Sequence, residues 1–372
     1  MPPKQHIHIA LLDTDLPVPT IYAHRGLYST QFRHLLRAAA ATINPAYELH
    51  TTAFDVVGGH LPAYASLSQH SSTPNPGAST ASTSNLAAED TALNPLSIPI
   101  TAILITGSAA AAYDPTKPWI AALTTFLQTV HSQYQGVRLF GSCFGHQILA
   151  RALLELQGAA GQQPYVRVEP APHGKEVGLK SVVLTPEFTG AFPGAFPGAF
   201  ASPHSRNVPP DGQDATDADG RWRWRWNIQM IHGDHVRVCR PLPAGWCVVG
   251  ASAECAVQGL YRPGRVLTYQ GHFEFDAEVN RETCLEFGRR EGWKAEDVER
   301  WVQAIGADGE GSDAVGAAGV VVRFFAGEDE HGDDIALVRG GVGVLGEGKG
   351  KDGTEKTGWG WNWFKLLGWK DG

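Results

Sequence analysis

The sequence predicts an α/β protein built on a doubly wound, mostly parallel sheet with an antiparallel extension. Three observations predict it. Short β-rich apolar runs alternate with helical periodicity through the first 157 residues, the pattern of successive strand–helix–strand units. The segments after them are rich in strand character without intervening helices. With 372 residues, 43% hydrophobic and 18% charged, the chain can also bury a full core.

The first unit is "HIHIALLDTD", a strand, followed by "TQFRHLLRAAAATI", whose Phe32, Leu35, Leu36 and Ala39 fall at helical spacing. "YELHTTAFDVV" supplies a second strand, and Ala102 to Thr106 within "SIPITAILITGSAAAAYD" a third, broken by Gly107. "WIAALTTFLQTVHSQ" is a helix, "GVRLFGS" a fourth strand, and "FGHQILARALLELQG" a helix that begins directly after a cysteine. "KEVGLKSVVLT", "IQMIHGDHVRVCR", "WCVVGASAECAVQGLY" and "RVLTYQGHFEFD" carry the strand-rich extension. Helical patterns near Arg281 to Arg290 and Ala295 to Ile305 follow.

Two stretches interrupt this order. "YASLSQHSSTPNPGASTASTSNLAAED", which leads into an insertion at about 66–97, has little to bury, and "TGAFPGAFPGAFASP" opens a low-complexity insertion at about 188–220. Both are expected to be surface loops. Residues 1–290 then form the main domain, and 291–372 a helical, glycine-rich extension. Near its end, Trp359, Trp361, Trp363 and Phe364 are expected to dock on the body or lack order. "RWRWRW" puts Trp222, Trp224 and Trp226 on one face of a strand, to cover the sheet or to stack bases.

Charge and cysteine usage narrow the function. A formal net charge of −8 disfavours nucleic acid, which calls for a basic footprint. The start, "MPPKQHIHIALLDTD", lacks the apolar core of a secretory signal, and no long apolar span follows. The five cysteines are sparse, and Cys239, Cys247 and Cys255 recur at strand-interior rather than disulfide or zinc spacing. A soluble, cytoplasmic protein is expected, with no membrane or nucleic-acid partner. His232 and His235 of "HGDH" lack an accompanying ligand cluster, so neither metal nor cofactor is expected.

"GSCFGHQ" carries the chemistry. Gly141 and Gly145 flank Cys143 between a strand and a helix, the context of a nucleophile elbow. A helix N-terminus favours thiolate, and the Phe144 amide stands where an oxyanion could form. A buried structural cysteine is the alternative. In "YQGHFEFD", His272 and Glu274 lie two apart and face the same side of extended chain. Glu274 can then orient His272 as a base for Cys143. The order Cys, His, Glu differs from that of the α/β-hydrolases, where the acid precedes the histidine.

These motifs resemble those of class I (triad) glutamine amidotransferases, in which a G-x-C-x-G-x-Q elbow precedes a distant His-x-Glu pair. "ILITGSAAAAYDPTKPWI", "GKEVGLKSV" and "MIHGDHV" resemble segments of the GMP-synthase-like subgroup. The likeness spans roughly Ile7 to Arg290 without the insertions. Fungal amidotransferase-like proteins and plant γ-glutamyl peptidases are similar in layout.

The resemblance implies a flavodoxin-like fold and a γ-glutamyl thioester on Cys143, with His272 shuttling protons and Glu274 holding His272. It also implies that Gly107 or Ser108 joins Phe144 in the oxyanion hole and that Gln147 helps bind a small γ-glutamyl substrate. Phe273 stands where the family usually has proline; restoring proline is expected to be tolerated. No synthetase motif is visible after the triad. A free-standing hydrolase is therefore expected over a subunit that feeds ammonia to a separate acceptor protein; a catalytically silent module is the remaining alternative.

Overall fold

The computed structural model describes residues 4–69, 97–157, 162–196, 223–307 and 311–329. Strand β1 (Gln5–Asp13) runs into a short helix α1 (Pro19–Arg25) and then α2 (Tyr28–Ile43). Strand β2 (Tyr47–Asp55), β3 (Ala102–Ile105), helix α3 (Pro118–Gln133), β4 (Arg138–Ser142) and helix α4 (Phe144–Ala150) follow. A π-helical turn, Arg151–Glu155, extends α4.

Five strands come next: β5 (Val166–Pro170), β6 (Glu176–Leu184), β7 (Arg225–His232), β8 (Asp234–Val238) and β9 (Cys247–Val248). Three more, β10 (Gly250–Ala251), β11 (Leu260–Arg262) and β12 (Val266–Tyr269), lead into helix α6 (Ala277–Glu291). Helix α5 (Pro186–Gly190) lies between β6 and β7, and α7 (Ala295–Ile305) and α8 (Ala314–Ala326) end the described chain.

The main sheet has seven strands in the order β2-β1-β3-β4-β12-β11-β9. Its first five are mutually parallel; β11 and β9 join antiparallel. Strands β10, β6 and β7 form an antiparallel sheet beside it, and β5 pairs β8.

Parallel strands of such a sheet must be covered on both faces. Along β1, Ile7, Ile9 and Leu11 enter one apolar cluster with Phe32 and Leu36 of α2 and Val320 and Phe324 of α8. The alternate residues Ala10 and Leu12 enter a second with Ile120 and Leu123 of α3 and Ile148 of α4. The period-two strand pattern and the helical spacing of α2 and α3 thus meet in a doubly wound sheet, as the sequence predicts. Each such buried Leu, Ile or Phe contributes about 1.5–3 kcal/mol.

Two boundaries differ from expectation. The stretch beginning at residue 188 is not a surface loop through residue 196: Phe188, Phe192 and Phe196 are buried. A four-residue spacing brings these rings together, and they meet Trp226, Trp224 and Tyr261 edge-on or tilted. Trp226 is itself buried, so it covers the sheet and presents no face for a base. The core also continues past residue 290, because α8 packs on α2 and the main sheet. Most of the 66–97 segment, residues 197–222 and the aromatic residues Trp359 to Phe364 lie outside the described residues. Among the described residues, no helix is long and apolar enough to cross a membrane.

Candidate active site

Strand β4 ends at Ser142, and the next residue, Cys143, takes φ 51° and ψ −104° before α4 begins. A side-chain-bearing residue in such a conformation costs about 1–3 kcal/mol and persists only where the surroundings impose it. Here the Cys143 amide donates to the Tyr269 carbonyl at 2.8 Å, and its own carbonyl accepts from Gln147 at 3.1 Å. The flanking glycines are sterically required. A Cβ on Gly141 would overlap the backbone of Gly145, and one on Gly145 would overlap the Ile105 carbonyl of β3. The elbow read from "GSCFG" is therefore the tight strand-to-helix turn itself.

His272 lies just beyond β12, where its amide donates to the Gln229 carbonyl of β7 at 2.8 Å. Its Nδ1 is 2.8 Å from Oε1 of Glu274. The Ser142 hydroxyl reaches both oxygens of that carboxylate, at 3.2 and 3.3 Å. The Phe275 ring stacks on the imidazole with 4.1 Å between centroids and 13° between planes. Nε2 of His272 is buried without a hydrogen-bond partner among the described residues, which leaves it open to exchange a proton with a thiol or substrate.

Burial opposes a charge on His272, but the charges of Cys143 and Glu274 outweigh it and raise the imidazole from 6.5 to about 10. The intervening Phe273 is buried, edge-on to Phe32, Phe140 and Tyr269 at 5.4–5.9 Å. Position 273 is thus a core position, and proline there would leave a cavity.

Gly107 closes the site from β3. A Cβ there would stand 2.9 Å from Cε1 of His272 and 3.6 Å from Cβ of Cys143. The Gly107 carbonyl accepts from the hydroxyls of Thr14 and Thr106 at 3.0 and 3.2 Å. No peptide bond among the described residues is cis, so the Ser108 N–H points opposite to that carbonyl. The Ser108 hydroxyl is taken up by Asp15, as is the Ala109 amide at 2.8 Å. Asp15 thereby fixes the loop that carries the Ser108 amide.

Gln147 is drawn inward: its Nε2 donates to the Asp234 carbonyl and to Oε1 of Gln270, both at 3.2 Å. Gln270 in turn directs its Nε2 at Cys143 Sγ, 3.6 Å away. Phe144 buries its ring against Trp119, with centroids 5.4 Å apart, and contributes its backbone at the start of α4.

The two remaining sequence motifs join below this site. His232 of "HGDH" pairs Nε2 with Glu176 of "GKEVG" at 3.0 Å and Nδ1 with the Asp234 carbonyl at 2.9 Å. Ser252 and Gln258 complete the Glu176 carboxylate at 2.7 and 2.8 Å. Burial works against ionisation of Glu176, yet His232 and these donors hold its carboxyl below the usual value. The next backbone group upstream of His232, the Ile231 carbonyl, lies 4.0 Å from Cys143 Sγ. Both nitrogens of His232 thus have partners within the protein.

Sequence reasoning missed Ser142, Gln270, Asp15 and Phe275. Ser142 lies within "GSCFGHQ" and Gln270 and Phe275 within "YQGHFEFD", which was the available signal. Asp15 becomes recognisable only through strand register.

No family profile matches the chain. A protein of Schizosaccharomyces pombe, provisionally named glutamine amidotransferase-like, is 28% identical over 275 residues, 73% of this chain and 81% of its own length. One of Saccharomyces cerevisiae, provisionally named a glutamine amidotransferase, is 30% identical over 186 residues, 49% of this chain and 56% of its own. Among solved structures, a glutamine amidotransferase of Thermotoga maritima gives a TM-score of 0.44 at 14% identity, covering 87% of this chain and 96% of its own. A glutamine amidotransferase of Methylobacillus flagellatus gives 0.41 at 14%, covering 94% and 100%.

Proposed function

We propose that this chain, a homologue of glutamine amidotransferase-like proteins, is a cysteine-dependent hydrolase of γ-glutamyl amide or peptide bonds. The observation that carries the reading is the buried series Cys143, His272, Glu274, in which Glu274 holds Nδ1 of His272 at 2.8 Å and the Gly107 backbone brings Cys143 and His272 to one site. That arrangement keeps a proton on the imidazole while the sulfur is nucleophilic.

In the first half-reaction the Cys143 thiolate attacks the γ-carbonyl carbon. Negative charge develops on the carbonyl oxygen and is received by the Ser108 and Phe144 amides, acting as the oxyanion donors. His272 protonates the leaving nitrogen as the carbon–nitrogen bond breaks, giving a γ-glutamyl thioester and ammonia or an amine. In the second, His272 takes a proton from water, the resulting hydroxide attacks the thioester, and glutamate leaves as the Cys143 thiolate is restored. Glu274 fixes the imidazole's tautomer and balances its charge throughout. Gln270 steadies the sulfur, and Gln147 acts through Gln270.

Both substrates share this chemistry; only the leaving amine differs, so the pocket beyond the scissile bond sets the preference. We take the γ-glutamyl peptide as the preferred substrate. The names of the two yeast relatives favour a second reading, an amidotransferase that passes ammonia to a separate acceptor protein. The test is kcat/KM for glutamine, glutathione and a glutathione conjugate on the purified chain, with Cys143→Ala as the blank. Faster turnover of the peptides supports the peptidase reading. A tenfold or greater preference for glutamine, about 1.4 kcal/mol in transition-state binding, overturns it in favour of ammonia donation. No turnover of any of the three strengthens the silent-module reading.

A further inference from the structure

We propose that His6, Glu48 and His50 form a binding site for a divalent transition-metal ion of the zinc class, clipping the edge strand β2 to β1. Strands β1 and β2 run parallel in a register that sets His6 beside Glu48 and His8 beside His50. Residues two apart share a face of a strand, so four polar side chains gather on one face near the strand starts. His8 is committed elsewhere: its ring nitrogens bond the Ile98 carbonyl at 2.7 Å and the Thr52 hydroxyl at 2.9 Å. The other three converge, with one ligand atom each within 4.8 Å of the others.

The spacing suits a small ion. Nδ1 of His6 lies 3.0 Å from Nε2 of His50, and the rings stack with centroids 5.3 Å apart. The Glu48 carboxylate oxygens stand 3.9 Å from the first nitrogen and 4.0 Å from the second. Zinc–nitrogen bonds of about 2.0–2.1 Å in a tetrahedron hold two nitrogen donors roughly 3.3 Å apart. Shifts of a few tenths of an ångström therefore place both imidazoles, and a slightly larger one brings in the carboxylate. In the metal-free form the N–H of one ring faces the other ring's nitrogen; a neutral imidazole carries that hydrogen on its distal nitrogen instead when the ion takes its place. Two neutral imidazoles and one carboxylate, open to solvent for a water ligand, are a donor set that zinc accepts.

A competing cation already sits here. Lys4 Nζ lies 3.0 Å from Oε2 of Glu48. It is mostly exposed, so it can swing away when an ion arrives. The spacing rule that discounted "HGDH" could not find this site, because its histidines are 44 residues apart and only strand register joins them.

The site lies at the strand starts, whereas Cys143 follows the C-terminal end of β4. Between these levels β1 alone spans roughly 23 Å at ~3.3 Å per residue. The ion would therefore fasten the sheet edge rather than take part in thioester chemistry.

Untagged full-length protein, stripped with chelator, is titrated with zinc by calorimetry, with thermal melting measured in parallel. One zinc per chain and a raised melting temperature are expected. His6→Ala and His50→Ala should each weaken binding by at least the roughly 100-fold that losing even an outer-shell partner can cost. His24→Ala, at an exposed histidine on α1, should leave it unchanged. Stoichiometry well below one, parental binding in both site variants, or equal weakening by His24→Ala overturns the assignment.

Discussion

Nδ1 of His272 lies 2.8 Å from Oε1 of Glu274, and the next residue, Phe275, stacks on the face of the same imidazole at 4.1 Å. One ring is thus gripped at its edge by a carboxylate two residues on and on its face by an aromatic three residues on. Rotation about the His272 side chain is restricted without a contribution from distant loops.

That grip has a pH signature. Burial disfavours the imidazolium, but Cys143 and Glu274 raise His272 from 6.5 to about 10. The protonated acid persists through neutral pH and is lost as pH rises toward that value. The alkaline limb of kcat/KM should therefore fall well above the value for free imidazole. Glu274→Gln removes a raising charge, so it should move the limb to lower pH and cut the rate by about 10²–10⁴. A limb that stays in place with near-parental turnover would mean that another group holds His272.

Gly145→Ala tests the elbow's packing. The added methyl would overlap the Ile105 carbonyl oxygen, which cannot rotate aside because it belongs to β3. Separation of α4 from β3 should cost about 1–3 kcal/mol or more, read as a lower urea midpoint. Parental stability would contradict the close approach.

Phe273 should behave as a core residue. Its ring meets Phe32, Phe140 and Tyr269, so Phe273→Ala should lose about 3–5 kcal/mol. Phe273→Pro opens the same cavity and should be similarly unstable in thermal melting. A stable proline variant would restore the expectation that position 273 is permissive.

The Glu176–His232 pair should hold β6 to β7. Removing the carboxylate in Glu176→Ala leaves a buried imidazole, hydroxyl and amide without their shared acceptor, at about 3–5 kcal/mol. Because the folded carboxyl titrates below its usual 4.5, this contribution is present above that pH. It is lost as pH falls through the depressed value. Parental and Glu176→Ala stabilities should accordingly converge in acid; a constant difference down to strongly acidic pH would contradict the assignment.

The legible parts of this molecule are those encoded locally. Cys143 stood out because both flanking glycines and the strand–helix change lie within a few residues, and His272 and Glu274 because two-residue spacing puts them on one side. The parallel sheet was legible from alternating periods, as in Ile7, Ile9 and Leu11 against Phe32 and Leu36. What register creates was not. Gln270 reaches Cys143 across 127 positions, and Asp15 reaches Ala109 across 94. The Phe-containing repeat misled for another reason: its glycines and prolines signal a loop, while Phe188, Phe192 and Phe196, four apart, bury themselves against Trp226. Helix α8 falls in the range the sequence assigns to an extension because its burial partners, in α2 and β1, lie at the opposite end of the chain.

The central claim is that Cys143 forms the γ-glutamyl thioester, and covalent trapping tests it most directly. The protein is incubated with a glutamine-like electrophile and mapped by peptide mass spectrometry, with residual turnover followed in the same samples. The account predicts one label per chain, on Cys143, with activity lost in step and labelling abolished in Cys143→Ala. Label mainly on Cys239, Cys247, Cys255 or Cys284, or full turnover in Cys143→Ala, would contradict it.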